Sequence, residues 1–182
     1  MNICVYGGAS NTVDKKYIEA AYELGRLMAK REMKLVFGGG TNGMMGAVAR
    51  GVHDGGGEIL GVAPKFFDTE GVLFRECTEF IFTDTMRQRK QTMDDNADAF
   101  IVSPGGVGTF EEFFEILTLK KLDQSEKPII ILNTDGYYDP MLTFIEHSIH
   151  AEFTDPDLRA QYTVAATPKA ALDIIELQKN SD

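Results

Sequence analysis

Short runs of uninterrupted apolar residues alternate along the chain with longer stretches in which apolar residues recur every three or four positions. Residues 3–6, 35–37, 59–62, 99–102 and 129–132 are of the first kind. Apolar at every position, they read as strands covered on both faces, as in a parallel sheet. Residues 80–82 predict a further strand and 162–165 a short edge strand. Helices fill the intervals. The first starts near Thr12 or Asp14 and carries Tyr17, Ala21, Leu24 and Met28 on one face. A helix of small residues, 44–52, turns Met45, Val48 and Val52 inward, and residues 85–96 form another. From about Phe110 a helix places Phe113, Phe114 and Leu117 inward, with Leu122 ending that face and Glu111 and Glu112 in the first turn. Asp139 is the expected cap of the next, with Pro140 at its first position and Leu142, Ile145 and Ile149 inward. Thr167-Pro168 opens the last, which carries Ala171, Ile174 and Ile175, ahead of a polar tail of about five residues. Residues 65–79 follow neither period and read as an exposed connection.

This alternation predicts an α/β protein: a Rossmann-like, three-layer α/β/α domain with a mostly parallel sheet of six or seven strands. Ligands of such sheets bind beyond the carboxyl ends of the strands. The glycine clusters at 7–8, 38–43 and 105–108 each follow a predicted strand, so all three should meet on one edge. At 182 residues the chain suits one domain, 1–182, with a substantial core. No apolar run approaches the roughly 18–20 residues of a membrane span. The opening MNICVYGG is already strand and turn, which predicts no signal peptide and a cytoplasmic, reduced protein. Cys4 and Cys77 have no metal or redox spacing, and Cys4 reads as core. The three histidines assemble no metal site. A net charge of −10 argues against a nucleic-acid surface. It does not oppose a single phosphate held by backbone N–H groups inside a pocket.

Two glycine motifs carry candidate chemistry. Gly38-x-Gly40-x-x-Gly43 formally matches a dinucleotide fingerprint, yet it follows the second predicted strand, and Glu58 precedes the third strand instead of ending it. The remaining readings are a tight turn with close packing, or a share of Gly39, Gly40 and Gly43 in another phosphate or ribose pocket. Pro104-Gly105-Gly106-Val107-Gly108-Thr109 lacks the lysine of a nucleoside-triphosphate loop. Strand, glycine turn and helix start nevertheless aim several N–H groups and a positive helix end at one point, where an anion fits. Glu111 and Glu112 would gain ~0.3–1 kcal/mol from the helix dipole alone. Beside a phosphate they need a cation, and Arg87, Arg89 and Lys90 lie just upstream, where a solvated helix face is the plain alternative.

Pro104–Glu112 fits PGGxGTxxE, and Met86-Arg87-Gln88-Arg89-Lys90 fits MxxRK. Together they resemble the paired signatures of the LOG ("Lonely Guy") family, cytokinin riboside 5′-monophosphate phosphoribohydrolases often labelled lysine decarboxylases. The likeness extends through Gly38-Gly39-Gly40, Gly43-Met44-Met45-Gly46 and Leu132-Asn133-x-x-Gly136-Tyr137-Tyr138-x-Pro140, and so spans nearly the whole chain. It implies a Rossmann-like homodimer, without metal or organic cofactor, that hydrolyses the N-glycosidic bond of an N6-modified AMP. By position it implies Arg89 and Glu112 as catalytic residues. Lys90, Gly105, Gly106, Val107, Gly108, Thr109, Glu111 and Thr118 fall on nucleotide-binding positions. Gly7-Gly8-Ala9-Ser10 replaces a more usual serine-rich first turn, and Val107 stands where an aromatic is common; either could change which nucleotide fits. No lysine has a recognisable pyridoxal-phosphate context, so decarboxylation is not expected. A non-catalytic nucleotide or cofactor carrier would use the same pocket and remains the alternative, with a nicotinamide-dependent oxidoreductase third.

Overall fold

A computed structural model describes residues 1–179; the end of the polar tail lies outside them. Seven strands form one sheet: β1 (Asn2–Tyr6), β2 (Lys34–Phe37), β3 (Ile59–Pro64), β4 (Glu79–Thr83), β5 (Ala99–Val102), β6 (Ile129–Leu132) and β7 (Thr163–Ala165). Their order is β4-β3-β2-β1-β5-β6-β7, and every adjacent pair is parallel. Six α-helices cover it among the described residues: α1 (Lys15–Lys30), α2 (Gly43–Asp54), α3 (Met86–Asp95), α4 (Val107–Lys121), α5 (Asp139–His150) and α6 (Pro168–Lys179).

Successive strand residues face opposite layers, which is why the runs are apolar throughout. Ile3 and Val5 join a core with Leu24 of α1, Val48 of α2 and Ile175 of α6. Cys4 and Tyr6 face the other way, toward Met93 of α3, Phe113 of α4 and Ile145 of α5. The strand order reverses between β1 and β5, so the crevice of a doubly wound sheet opens there, beyond Tyr6 and Val102. The three glycine turns do meet at this edge. Gly8 N–H donates to the Pro104 carbonyl (3.0 Å) and Met44 N–H to the Gly8 carbonyl (2.8 Å).

Local details depart from the pattern in three places. Helix α4 begins at Val107, with Gly106 as its cap, so Glu111 and Glu112 fall in the second turn rather than the first. Glycine's low helix propensity puts the expected start at Phe110; packing on the sheet overrides it. Phe114 and Leu122 are exposed, while Phe113, Ile116 and Leu117 are the buried face. In α5 the cap is Tyr138, and Asp139 is the first helical residue. The Asp139 carboxylate accepts from Asn133 Nδ2 (2.7 Å), whose Oδ1 accepts the Tyr138 N–H (2.7 Å), so Asn133 shapes that turn. Lastly, residues 65–79 are not wholly exposed. Lys65–Phe67 makes a 3₁₀ turn, and Leu73 and Phe74 are buried. Phe74 N–H donates to the Gly39 carbonyl (2.8 Å) and Thr41 N–H to the Val72 carbonyl (3.0 Å), pinning the second glycine turn. Two inward residues are too few to show a period.

Candidate active site

Two of the glycine turns lead into helices, and the two helix starts differ in what is left unsatisfied. At α2, Gly43 N–H donates to Asn11 Oδ1 (2.8 Å) and Met44 N–H to Gly8 O (2.8 Å), while Asn11 Nδ2 donates to Asn42 Oδ1 (2.9 Å). That helix start is closed from within the chain. No side chain caps α4. The first N–H groups of a helix have no partner inside it, so those of Val107, Gly108 and Thr109 are left for a group outside the helix, at the positive end of its dipole. The turn before them is drawn tight against the first: a side chain at Gly105 would stand 2.6 Å from Thr109 Cβ and 2.8 Å from Gly8 N. Tyr137 donates its hydroxyl to the Gly105 carbonyl (2.5 Å) and Tyr138 to the Ser103 carbonyl (2.7 Å), bracing the turn from the start of α5.

Beside this helix end lies a cleft of about 300 Å³, lined by Arg89, Glu111, Glu112, Gly106, Gly108 and Thr109, by Gly7, Gly8 and Ala9, and by the apolar Met45, Phe67 and Met86. Across the ridge made by Gly8, Ala9 and Gly106 a second cleft of about 350 Å³ is lined by Val13, Tyr17, Met44 and Tyr137.

Arg89 is 6% exposed although it stands on the first turns of a solvent-facing helix. Its guanidinium reaches inward, donating from Nε to the Val62 carbonyl of β3 (3.3 Å) and from Nη1 to Glu112 Oε1 (2.9 Å). Glu112 is itself nearly buried, its side chain 11% exposed. Burial pushes its carboxyl up from the usual glutamate range, and the Arg89 charge and hydrogen bond pull it part of the way back. The pair is thus a largely buried guanidinium and carboxyl held against each other, and both line the cleft.

The remaining expected site residues divide. Glu111 joins Arg89, Glu112, Gly106, Gly108 and Thr109 in the cleft, and Gly105 lines the second cleft. Lys90 lines neither; its ammonium pairs with Glu111 and with Glu115 (2.7 Å), tying α3 to α4. Thr118 lies nine residues beyond Thr109, about 13 Å along the helix. It is exposed and donates its hydroxyl to the Phe114 carbonyl (2.6 Å). Val107 is 82% exposed at the head of α4. Gly39, Gly40 and Gly43 line neither cleft: side chains there would meet Phe80, Met45 and Gly8 respectively, so these glycines permit close packing. Conversely, Met45, Phe67 and Met86 were not among the expected site residues. Met45 reads as core by its spacing, and Phe67 lies where no period could be read. Cys4 is buried beneath the pair and Cys77 half-buried, its thiol pushed by burial up to about 12.

The family model described as "Possible lysine decarboxylase" matches residues 45–175. The probable cytokinin riboside 5′-monophosphate phosphoribohydrolase LOGL2 of Oryza sativa subsp. japonica is 39% identical over 174 residues, covering 96% of this chain and 71% of that protein. The cytokinin riboside 5′-monophosphate phosphoribohydrolase LOG2 of Arabidopsis thaliana is likewise 39% identical, over 96% of this chain and 82% of its own. Among solved structures, the Moco carrier protein from Chlamydomonas reinhardtii superimposes with a TM-score of 0.75 at 20% identity, covering 100% of this chain and 98% of that one, a likeness of fold. With this identity sustained over nearly its full length, the chain belongs to the LOG family of cytokinin riboside 5′-monophosphate phosphoribohydrolases, the family that also carries the lysine decarboxylase label.

Proposed function

We propose that the protein hydrolyses the N-glycosidic bond of an N6-modified adenosine 5′-monophosphate, releasing the free base and ribose 5-phosphate, as a single cytoplasmic domain acting in a homodimer. The observation that carries this reading is the buried Arg89–Glu112 pair opening onto a cleft beside an uncapped helix start. The 5′-phosphate sits on the free N–H groups of the Gly105–Thr109 turn and fixes the nucleotide's orientation. Its ribose then lies over Glu112, and its base runs toward Met45, Phe67 and Met86.

Hydrolysis breaks the bond between C1′ and the base nitrogen; water's oxygen ends on C1′, one of its protons stays on that oxygen as the new hydroxyl, and the other ends on the base nitrogen. Positive charge grows on the sugar as the bond breaks. The ionised Glu112 carboxylate stabilises that charge and orients the attacking water. Arg89, a guanidinium with donors and no acceptor, does not serve as the proton-transfer group. It fixes the carboxylate's direction and keeps it ionised in a dry site.

Incubation with N6-isopentenyl-AMP and with plain AMP, followed by assay for released base, tests the reading. Release is expected, with Glu112→Gln and Arg89→Ala each losing at least ~100-fold in turnover while still folded. Binding of both nucleotides without release would make the protein a carrier instead. Near-wild-type turnover in either variant would remove that residue from the mechanism.

The dimer is supported by the outer face of α4, where Phe114, Thr118 and Leu122 recur at helical spacing and are all exposed. Thr118, far from its own cleft, is thereby placed on a surface that a second copy would cover.

A further inference from the structure

We infer that Gly38 is a positioning residue for the reaction: the missing side chain at the end of β2 is what lets the Arg89 guanidinium lie in reach of Glu112. The backbone does not require glycine there. Gly39 and Gly43, in the same turn, have φ of +76° and +58°, whereas Gly38 does not adopt the left-handed region. What glycine supplies at 38 is room. A Cβ at this position would overlap Arg89 Nη2 and stand 3.0 Å from Cζ and 3.4 Å from Nε, so its three nearest neighbours all belong to one guanidinium. That group is held on its other sides by the Val62 carbonyl and by Glu112. A methyl pressing on Nη2 therefore moves the guanidinium off one or both partners. Because the obstacle is the far end of a flexible side chain, the fold can absorb the substitution while the site cannot.

Gly39 supplies the contrast. An added Cβ there would stand 2.7 Å from the Phe80 ring and force a left-handed conformation, with no contact on the catalytic pair. Two adjacent glycines in one turn thus serve different ends, one packing and one chemistry. The first glycine of the apparent dinucleotide fingerprint seats an arginine, not a phosphate.

The kinetic consequence rests on the hydrolase reading, so the test carries a readout that does not. Wild type, Gly38→Ala, Arg89→Ala and the double variant form a cycle, read by base release from N6-isopentenyl-AMP and by ¹³C NMR titration of the Glu112 carboxyl. Glu111 and Lys90, which also act on that carboxyl, are unchanged in all four. Gly38→Ala is expected to lower kcat roughly 100-fold, the scale for a misplacement of about 1 Å, with KM little changed. It should also shift the Glu112 titration to higher pH, because Arg89 no longer opposes the effect of burial. In the Arg89→Ala background the same substitution should change either quantity less than about 2-fold, since the group it acts through is gone. Gly39→Ala should lower the melting temperature and leave the titration in place. An unmoved Glu112 titration in Gly38→Ala, or an equal shift with and without Arg89, overturns the proposal. If wild type releases no base but the titrations behave as described, the hydrolase reading falls and the positioning role stands. Should Gly38→Ala fail to fold, folding of the double variant supports the contact with Arg89, and its failure where Arg89→Ala folds refutes it.

Discussion

Glu112 is placed where ionisation is costly, and that cost is the basis of its use. A carboxyl within a dry wall has its pKa raised by desolvation, and the adjacent guanidinium restores only part of the loss. Between the pKa of an exposed glutamate, about 4.3, and the higher folded value, the native state binds the proton more often than the unfolded chain does. Stability therefore falls as pH rises through that window, and at neutral pH the ionised Glu112 subtracts from it. Glu112→Gln should accordingly melt at a higher temperature than wild type at pH 7, with the gap closing as pH drops below about 4. Calorimetry of the two proteins from pH 3.5 to 8 checks this; equal melting temperatures throughout would show that the carboxyl is not destabilised by its site. If Glu112 works as proposed, the same shift should place the acid limb of kcat/KM above the ordinary glutamate range, which a pH–rate profile checks.

The two helices that bring the pair together are held by different means. Helix α3 starts with a capping box: Thr85 Oγ1 accepts the Gln88 N–H (3.1 Å), and the Gln88 side chain accepts the Thr85 N–H (3.1 Å). Arg89 stands one residue further on, so the box sets the direction from which the guanidinium enters. Thr85→Ala should cost about 1 kcal/mol in urea denaturation. A change within about 0.3 kcal/mol would mean that the docking of α3 on β3 suffices without its cap. Helix α4 is the reverse case. Its cap residue is Gly106, which offers no side chain, and the turn before it is pinned by Tyr137 and by the first glycine turn. Its first N–H groups are what the proposed phosphate would satisfy; at α2 the corresponding groups are taken by Asn11 and by the Gly8 carbonyl.

Across the entire molecule the design is a parallel sheet whose reversal point, between β1 and β5, gathers loops from both halves. The protein is strongly acidic, with a net charge of −10, and the proposed phosphate site relies on backbone donors outweighing that distant field. No helix is long and apolar enough to cross a membrane among the described residues. The exposed stripe on α4 is one apolar feature that a lone copy leaves uncovered. Sedimentation equilibrium should give twice the 20.1 kDa chain mass, and Leu122→Glu with Phe114→Glu should give the monomer. A wild-type monomer at micromolar concentration would remove the dimer, and with it any part for Thr118.

Residue order along the chain was enough to establish the layers, because a strand buried on both faces must be apolar at every position and a covering helix must be apolar on one. It was enough, too, for the family and, through that resemblance, for naming Arg89 and Glu112 as the expected catalytic residues, since both lie in short motifs; their contact was decided in the tertiary structure. Local periodicity records only whether a side chain is covered, not by what. Phe114 and Leu122 match the apolar spacing of α4 but face outward. Leu73 and Phe74 are buried without forming a pattern. The roles of the three glycine turns were decided in space: Asn11 closes one helix start, no side chain among the described residues caps the other, and Arg89 occupies the room left by Gly38. Each of these depends on strand order and helix docking bringing distant segments within bonding distance, and contacts of that kind leave no period in the chain to read.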